Sequence, residues 1–189
     1  LQYGWMGIPE GKEGFIPTIQ YGWIHALTIP REVSIQNGKY LQKPARELWN
    51  LTTNLQKVQW NATRFESVFS SPAQVWTVNW KEAVQDKLAI QLRNEIFIQY
   101  DAETQVLSVS RTDWETGEKE TRERTLQSPL KQLNAWMDYS SLELFVNKGE
   151  EVFTLRFFTE EEALDFVVQQ TVEQEMAIEV WDVRTGAFI

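Results

Sequence analysis

Asp138 and Glu143 are the pair of carboxylates whose spacing could support acid–base chemistry. They flank a strand junction, DYSSLE, and a retaining glycosidase places two carboxyl groups about 5 Å apart across the bond that it cleaves. A structural interpretation competes with this one, in which Asp138 and the serines after it form a polar turn. Because Glu143 alternates with apolar neighbours as in a strand, the structural interpretation is favoured.

The single histidine, His25, could act as a general base only beside a carboxylate that orients its ring. Spacing along the sequence identifies no such carboxylate, and His25 stands within an apolar strand, so a structural role is favoured. The chain has no cysteine, which excludes disulfides, thiolate metal sites and thiol nucleophiles. The remaining carboxylates lack calcium-loop spacing, and neither a metal nor a cofactor is predicted.

Nine tryptophans are spread along the chain, and the apolar faces of sugars stack on such rings. Most of the nine are expected to fill the core and the interface between modules, where a large ring buries much apolar surface. Trp114 stands in the polar stretch RTDWETGEK and is the tryptophan that is predicted to be exposed. Trp114 is therefore the candidate platform for binding carbohydrate.

The composition is that of a folded, acidic protein. Of 189 residues 42% are hydrophobic, and 27 acidic against 18 basic residues give a formal net charge of −9. This charge argues against nucleic acid and against an anionic membrane surface as partners. Apolar runs are only a few residues long, so no membrane-spanning segment is predicted. The lack of cysteine is compatible with the cytoplasm, which is the predicted location.

The first quarter of the chain is predicted to be one β-propeller blade followed by a linker. Residues 1–43 contain four short apolar segments, and Asn37-Gly38 between the last two predicts a hairpin with a type I′ turn. Four antiparallel strands make up one propeller blade. Residues 44–52 are predicted to be the linker, with a short helix that has Pro44 in its first turn.

Residues 53–189 are predicted to form an antiparallel β-sandwich. About eleven short strands separated by turn signals are predicted, the first near residues 62–69, with no helices between them. In two strands the apolar and polar side chains alternate, which is typical of a sheet covered on one face. The alternating sets are Trp76, Val78 and Trp80 against Val75, Thr77 and Asn79, and Leu142, Leu144 and Val146 against Glu143, Phe145 and Asn147. The fold class is therefore all-β.

Two blocks of sequence resemble glycoside hydrolase family 32, which comprises sucrose-6-phosphate hydrolases and other β-fructosidases. The first block is GWMGIP at 4–9 with HALTIPREVSIQNGKYLQKPARELWNL at 25–51, similar to the last blade and linker of the family's five-bladed propeller. The second block, at 107–158, is similar to the family's jelly-roll-like C-terminal sandwich. It carries the pattern D-x-S-x-x-E-x-F-x-N-x-G, met by Asp138, Ser140, Glu143, Phe145, Asn147 and Gly149.

The resemblance implies a parent enzyme that hydrolyses terminal β-fructofuranosides, such as sucrose 6-phosphate, by a retaining mechanism. The family's W-x-N-D-P-N-G, R-D-P and E-C motifs do not occur in the 189 residues, so no catalytic residue is assigned. Trp5 is the one substrate-binding residue that the resemblance implies, because the GW strand runs near the family's pocket. The chain is expected to be a C-terminal fragment that is inactive on its own.

The expected partners follow from this assignment. The resemblance implies the missing N-terminal propeller of the same protein as a partner, and a β-fructoside as the substrate of the full enzyme. Open strand edges and an apolar face in residues 1–43 also predict self-association through that region. Two alternatives stay open: a free-standing, lectin-like sandwich that binds sugar, and a purely structural interaction module.

Overall fold

The computed structural model describes residues 1–8, 11–159 and 162–184, so Pro9 of the GWMGIP motif lies outside the described residues. Three short 3-10 helices span Glu13–Phe15, Pro17–Tyr21 and Arg46–Leu51, the last of which we name the linker helix. None of the described helices is long and apolar enough to cross a membrane. The strands are β1 (Trp5–Met6), β2 (Ala26–Leu27), β3 (Arg31–Gln36), β4 (Lys39–Pro44), β5 (Thr52–Asn61), β6 (Arg64–Val68), β7 (Gln74–Trp80), β8 (Lys87–Leu92), β9 (Ile96–Asp101), β10 (Val106–Thr112), β11 (Lys119–Thr125), β12 (Gln132–Met137), β13 (Ser141–Val146), β14 (Glu151–Arg156), β15 (Asp165–Gln170) and β16 (Glu175–Val183).

Most of the strands form two six-stranded antiparallel sheets. The first sheet has the order β11-β10-β9-β8-β15-β6, and the second has the order β14-β13-β12-β7-β16-β5. One continuous apolar core draws side chains from both sheets, including Trp76 of the second and Phe166 of the first. The predicted fold class, an all-β antiparallel sandwich, is confirmed.

Alternation along the strands decides which side chains enter this core. In β7 Trp76, Val78 and Trp80 lie in the core between the sheets, as do Leu142, Leu144 and Val146 of β13. The side chains between them face the other way. Two of these, Val75 and Phe145, are nevertheless fully buried, which means that the outer face of the second sheet is covered by another part of the chain.

Between the predicted linker and about residue 62 the sequence pattern predicts no strand, but β5 begins at Thr52 and forms the outer edge of the second sheet. It pairs with β16 along its length, with an irregularity between Val180 and Asp182. All ten residues of β5 are exposed or only partly buried. Because an edge strand needs few apolar residues, its sequence, TTNLQKVQWN, shows little hydrophobic alternation.

Residues 1–44 form two short antiparallel pairs, β1 with β2 and β3 with β4, joined by a bridge between Gln2 and Arg31. The predicted hairpin turn is confirmed, because Asn37 and Gly38 have φ angles of 52° and 76°. The position of Pro44 differs from the prediction, which placed it in the first turn of the linker helix. It is the last residue of β4, opposite Arg31, and the linker helix begins two residues later.

Candidate functional site

The candidate functional site is the interface between the start of the chain and the outer face of the second sheet, which we name the docking interface. Ile29 from the region before β3 and Leu48 from the linker helix pack there against an apolar cluster. The cluster itself consists of Val75, Trp136 and Phe145, with Val152, Trp181 and Val183 around it. The apolar outward-facing residues of β7, β12 and β13 are therefore the contact surface for Ile29 and Leu48.

Arg31 and Glu143 form an ion pair at the centre of this interface. Glu143 Oε2 accepts hydrogen bonds from Arg31 Nη2 at 2.5 Å and Nε at 3.0 Å, and its Oε1 accepts one from the backbone N–H of Ile29 at 2.6 Å. The side chains are only 10% and 2% exposed. The guanidinium also donates to Gln42 Oε1 and Thr154 Oγ1. One buried carboxylate thus fixes both β3 and the residues that precede it.

Burial raises the pKa of the Glu143 carboxyl above its ordinary value, although the Ile29 amide and the Arg31 guanidinium act in the opposite direction. The charged form therefore depends on these two donors, because desolvation disfavours a lone carboxylate. A buried ion pair adds little net stability over apolar side chains, but it is costly to break once it has formed. The pair therefore specifies how the two regions dock.

A second docking contact joins backbone to backbone. The N–H of Gln42 in β4 donates to the carbonyl oxygen of Gly149 at 3.0 Å. A Cβ atom on Gly149 would lie 1.8 Å from the carbonyl oxygen of Gln42, and the φ angle of Gly149 is +95°. Only glycine allows both this φ angle and this approach. The final glycine of the D-x-S-x-x-E-x-F-x-N-x-G pattern is thereby explained.

The other polar members of the pattern hold turns. Asp138 Oδ1 accepts hydrogen bonds from the N–H groups of Ser140 and Ser141 at 2.9 and 3.0 Å, and Asn147 Oδ1 accepts one from the N–H of Lys131 at 2.9 Å. Asp138 is exposed in its turn, whereas Glu143 is buried against Arg31. The geometry agrees with the structural interpretation of these two carboxylates and not with an acid–base pair.

A cleft of about 700 Å³ lies between the start of the chain and the edge of the first sheet, and both Trp5 and Trp114 line it. The prediction that Trp114 is the exposed tryptophan is wrong, since Trp5, Trp23 and Trp49 are more exposed. The ring of Trp114 packs edge-on against Phe158 at 4.9 Å and lies 4.2 Å below the guanidinium of Arg111, so it is only partly exposed. Trp5 is 63% exposed, and among the described aromatic rings it contacts that of His25. A role for Trp5 in binding substrate stays a prediction.

His25 has a carboxylate partner that the sequence did not indicate. Its Nε2 lies 3.0 Å from Glu13 Oε1, and its ring contacts Trp5 edge-on at 4.9 Å. The Nδ1 atom is buried and has no hydrogen-bond partner among the described residues. His25 thus lacks a hydrogen-bonded relay through its second nitrogen, which agrees with a structural role. In the part of the chain that the structure describes, no three His, Cys, Asp or Glu side chains lie close enough together to hold a metal ion.

Comparison with known families matches both regions of the chain. The model of "Glycosyl hydrolases family 32 C terminal" matches residues 41–182, and that of "Glycosyl hydrolases family 32 N-terminal domain" matches residues 1–44. The boundary between the two matches falls at the end of β4, immediately before the linker helix. The docking interface therefore joins the regions that the two models match.

Individual relatives agree with the family match. The chain is 34% identical over 161 residues to a probable sucrose-6-phosphate hydrolase of Vibrio cholerae, covering 85% of this chain and 29% of the relative. It is 25% identical over 183 residues to the sucrose-6-phosphate hydrolase of Bacillus subtilis, covering 96% and 38%. The chain thus spans about a third of the length of these relatives.

Solved structures show the same fold at low sequence identity. The sucrose-6-phosphate hydrolase of Lactobacillus gasseri superimposes with a TM-score of 0.76 at 19% identity, over 97% of this chain and 38% of that one. The exo-inulinase of Aspergillus awamori superimposes with a TM-score of 0.74 at 19% identity, over 96% and 40%. At these identities the likeness concerns the fold alone.

Proposed function

Because the chain belongs to glycoside hydrolase family 32, we propose that it is the C-terminal part of a β-fructosidase, in which it has a structural role. In this proposal residues 1–43 are the last blade of the catalytic propeller, residues 44–52 are the linker, and residues 53–189 are an auxiliary sandwich. The ion pair between Arg31 and Glu143 carries the proposal, because it fastens the blade to the sandwich at a single geometry. The partner of this chain is the N-terminal propeller of the same protein.

The activity proposed for the whole enzyme is retaining hydrolysis of terminal β-fructofuranosides such as sucrose 6-phosphate. The names of the curated relatives support this substrate. The chain carries none of the family's three catalytic motifs, so we assign it no nucleophile, acid/base or transition-state stabiliser. Trp5 is the proposed substrate contact, and its exposure at the cleft supports that role. The proposed location is the cytoplasm, with which the lack of cysteine is compatible.

The isolated chain is expected to release no glucose 6-phosphate from sucrose 6-phosphate and no glucose from sucrose, because positioning and proton transfer have no residues to act through. A coupled dehydrogenase assay measures both products. The positive control is a chimera in which this chain replaces the matching region of the Vibrio cholerae relative. This chimera is expected to release the product in the same assay. Product from the isolated chain above a buffer blank would contradict the proposal, as would an inactive chimera that is folded.

We also propose that residues 1–44, which we name the first region, pair with a partner through their apolar surface. Its exposed apolar side chains include Leu1, Tyr3, Trp5, Phe15, Ile19, Tyr21, Trp23, Leu27, Val33, Ile35 and Tyr40. So many exposed apolar groups on 44 residues are typical of an interaction surface. In the whole enzyme the occupant is the rest of the propeller. In its absence the occupant is a second copy of this chain.

Sedimentation velocity over a range of concentrations is expected to show a reversible dimer of the isolated chain. Ile35→Asp places a charge on a side chain that is 78% exposed within this surface, so it should weaken the dimer about tenfold or more. Val68→Asp is the matched control, because Val68 is 68% exposed but lies on the sandwich. Equal effects of the two substitutions, or a monomer at every concentration, would contradict the proposed surface.

A further inference from the structure

The outer face of the second sheet has a polar half that the docking interface leaves open. Across the sheet, Trp136, Val75 and Trp181 stand side by side and belong to the interface. The next row of paired positions holds Asn134, Thr77 and Glu179, and the row beyond it holds Gln132 and Asn79. These five side chains line an open depression of about 430 Å³.

The polar side chains of this depression are linked by hydrogen bonds and keep further capacity. Gln132 Nε2 donates to Asn79 Oδ1 at 2.6 Å, and Asn134 Nδ2 donates to the carbonyl oxygen of Trp76 at 3.3 Å. A primary amide has two N–H donors and a carbonyl oxygen that accepts two hydrogen bonds. Among the described residues, nothing hydrogen-bonds to Oε1 of Gln132 or Oδ1 of Asn134. Donors and acceptors therefore lie side by side and free for a ligand.

An aromatic wall bounds the depression on the side of the docking interface. Trp49 of the linker helix is 37% exposed, and it packs edge-on against Trp181 at 5.2 Å and Trp136 at 5.3 Å. Trp49 and Trp181 both line the depression. The rings are held by each other and by the interface, so a ligand could stack on them at little cost in side-chain entropy.

We propose that this depression is a carbohydrate-binding site for an uncharged oligosaccharide. A sugar has apolar ring faces, which suit the tryptophan wall, and hydroxyl groups that both donate and accept, which suit neighbouring amides. Two exposed lysines, Lys43 and Lys148, also line the depression, and Glu179 pairs with Lys57 at 2.6 Å. The other sheet residues of the floor, Asn134, Thr77, Gln132 and Asn79, are neutral. The inference does not depend on the catalytic role proposed above, and it places lectin-like binding away from Trp114.

The test is a titration of the full chain followed by the indole N–H signals of its nine tryptophans in ¹⁵N-labelled protein. The probes are 1-kestose and maltotriose, each up to about 20 mM, and single Trp→Phe variants assign the signals. Saturable shifts at Trp49 and Trp181 are expected, with a Kd on the order of 1 mM or below. The absence of saturable shifts with both probes would overturn the proposal, as would shifts centred on Trp5 or Trp114.

Two kinds of variant test the tryptophan rings and the amide side chains of the depression separately. Trp49→Ala is expected to raise the Kd about tenfold. Because Trp49 also packs against the interface, the double variant Gln132→Ala/Asn134→Ala keeps the rings in place and is expected to raise the Kd roughly three- to tenfold. Trp114→Ala removes a tryptophan from the other cleft and should leave the Kd unchanged. An unchanged Kd in a double variant that melts like the parent chain would overturn the proposal.

Discussion

Replacing Arg31 with methionine is expected to lower the free energy of unfolding by about 3–5 kcal/mol at pH 7.5. The substitution leaves the Glu143 carboxylate buried, and the N–H of Ile29 is then the one donor among the described residues that stabilises its charge. Urea unfolding followed by tryptophan fluorescence measures the change. Arg46→Met is the matched control. Its guanidinium pairs with Glu32 at the surface, where a lost ion pair costs less than about 1 kcal/mol.

The loss caused by Arg31→Met is expected to shrink as the pH is lowered from about 7.5 towards 5. Burial already raises the pKa of Glu143, and without the guanidinium that pKa rises further in the folded state. Protonation then removes the unpaired buried charge from the folded variant, whereas the unfolded chain binds that proton only at lower pH. The folded variant therefore gains stability as protons are added. A difference from the parent chain that is constant over this range would contradict the assigned cause.

The double variant Arg31→Met/Glu143→Leu distinguishes loss of a contact from exposure of an unpaired charge. Two apolar side chains of similar volume commonly replace a buried ion pair with little loss of stability. The double variant is therefore expected to be more stable than Arg31→Met alone, and its pH dependence should return towards that of the parent chain. Equal instability of the single and double variants would show that packing, and not the buried charge, sets the cost.

Local sequence signals account for the sandwich and for the hairpin turn. The alternation in β7 and β13 identifies the side chains of the core, because successive residues of a strand face opposite ways. Asn37-Gly38 identifies a turn because both of its residues need a positive φ angle. Each of these signals lies within a few residues of what it predicts.

The docking interface depends on contacts that no local pattern contains. Arg31 and Glu143 are 112 residues apart. Outside the interface, Phe158 likewise covers Trp114 from a distant part of the chain, although the sequence neighbours of Trp114 are polar. One signal was present in β13. Leu142–Val146 is apolar on both faces apart from Glu143, and a strand that is apolar on both faces is covered on both. That pattern could have indicated a partner for the outer face.

Gly149→Ala is expected to be the most damaging substitution in the turn after β13, and it should lower the free energy of unfolding by about 2–4 kcal/mol. Part of that cost is the φ angle of +95°, and the rest is the 1.8 Å approach of the new Cβ to the carbonyl oxygen of Gln42. Because that oxygen belongs to β4, the clash is relieved only if the first region moves off the sandwich. The hydrogen bond from Gln42 to Gly149 is then lost as well.

Gly117→Ala separates the two parts of this cost. Gly117 also has a positive φ angle, +73°, but a Cβ there would meet nothing within 4 Å. Its substitution should therefore cost only the backbone strain, about 1–2 kcal/mol. Limited trypsin digestion gives a second measurement, since undocking of β4 should speed cleavage after Arg46 in Gly149→Ala and not in Gly117→Ala. Equal loss of stability and equal cleavage rates in the two variants would mean that the close approach of Gly149 to Gln42 does not hold the first region on the sandwich.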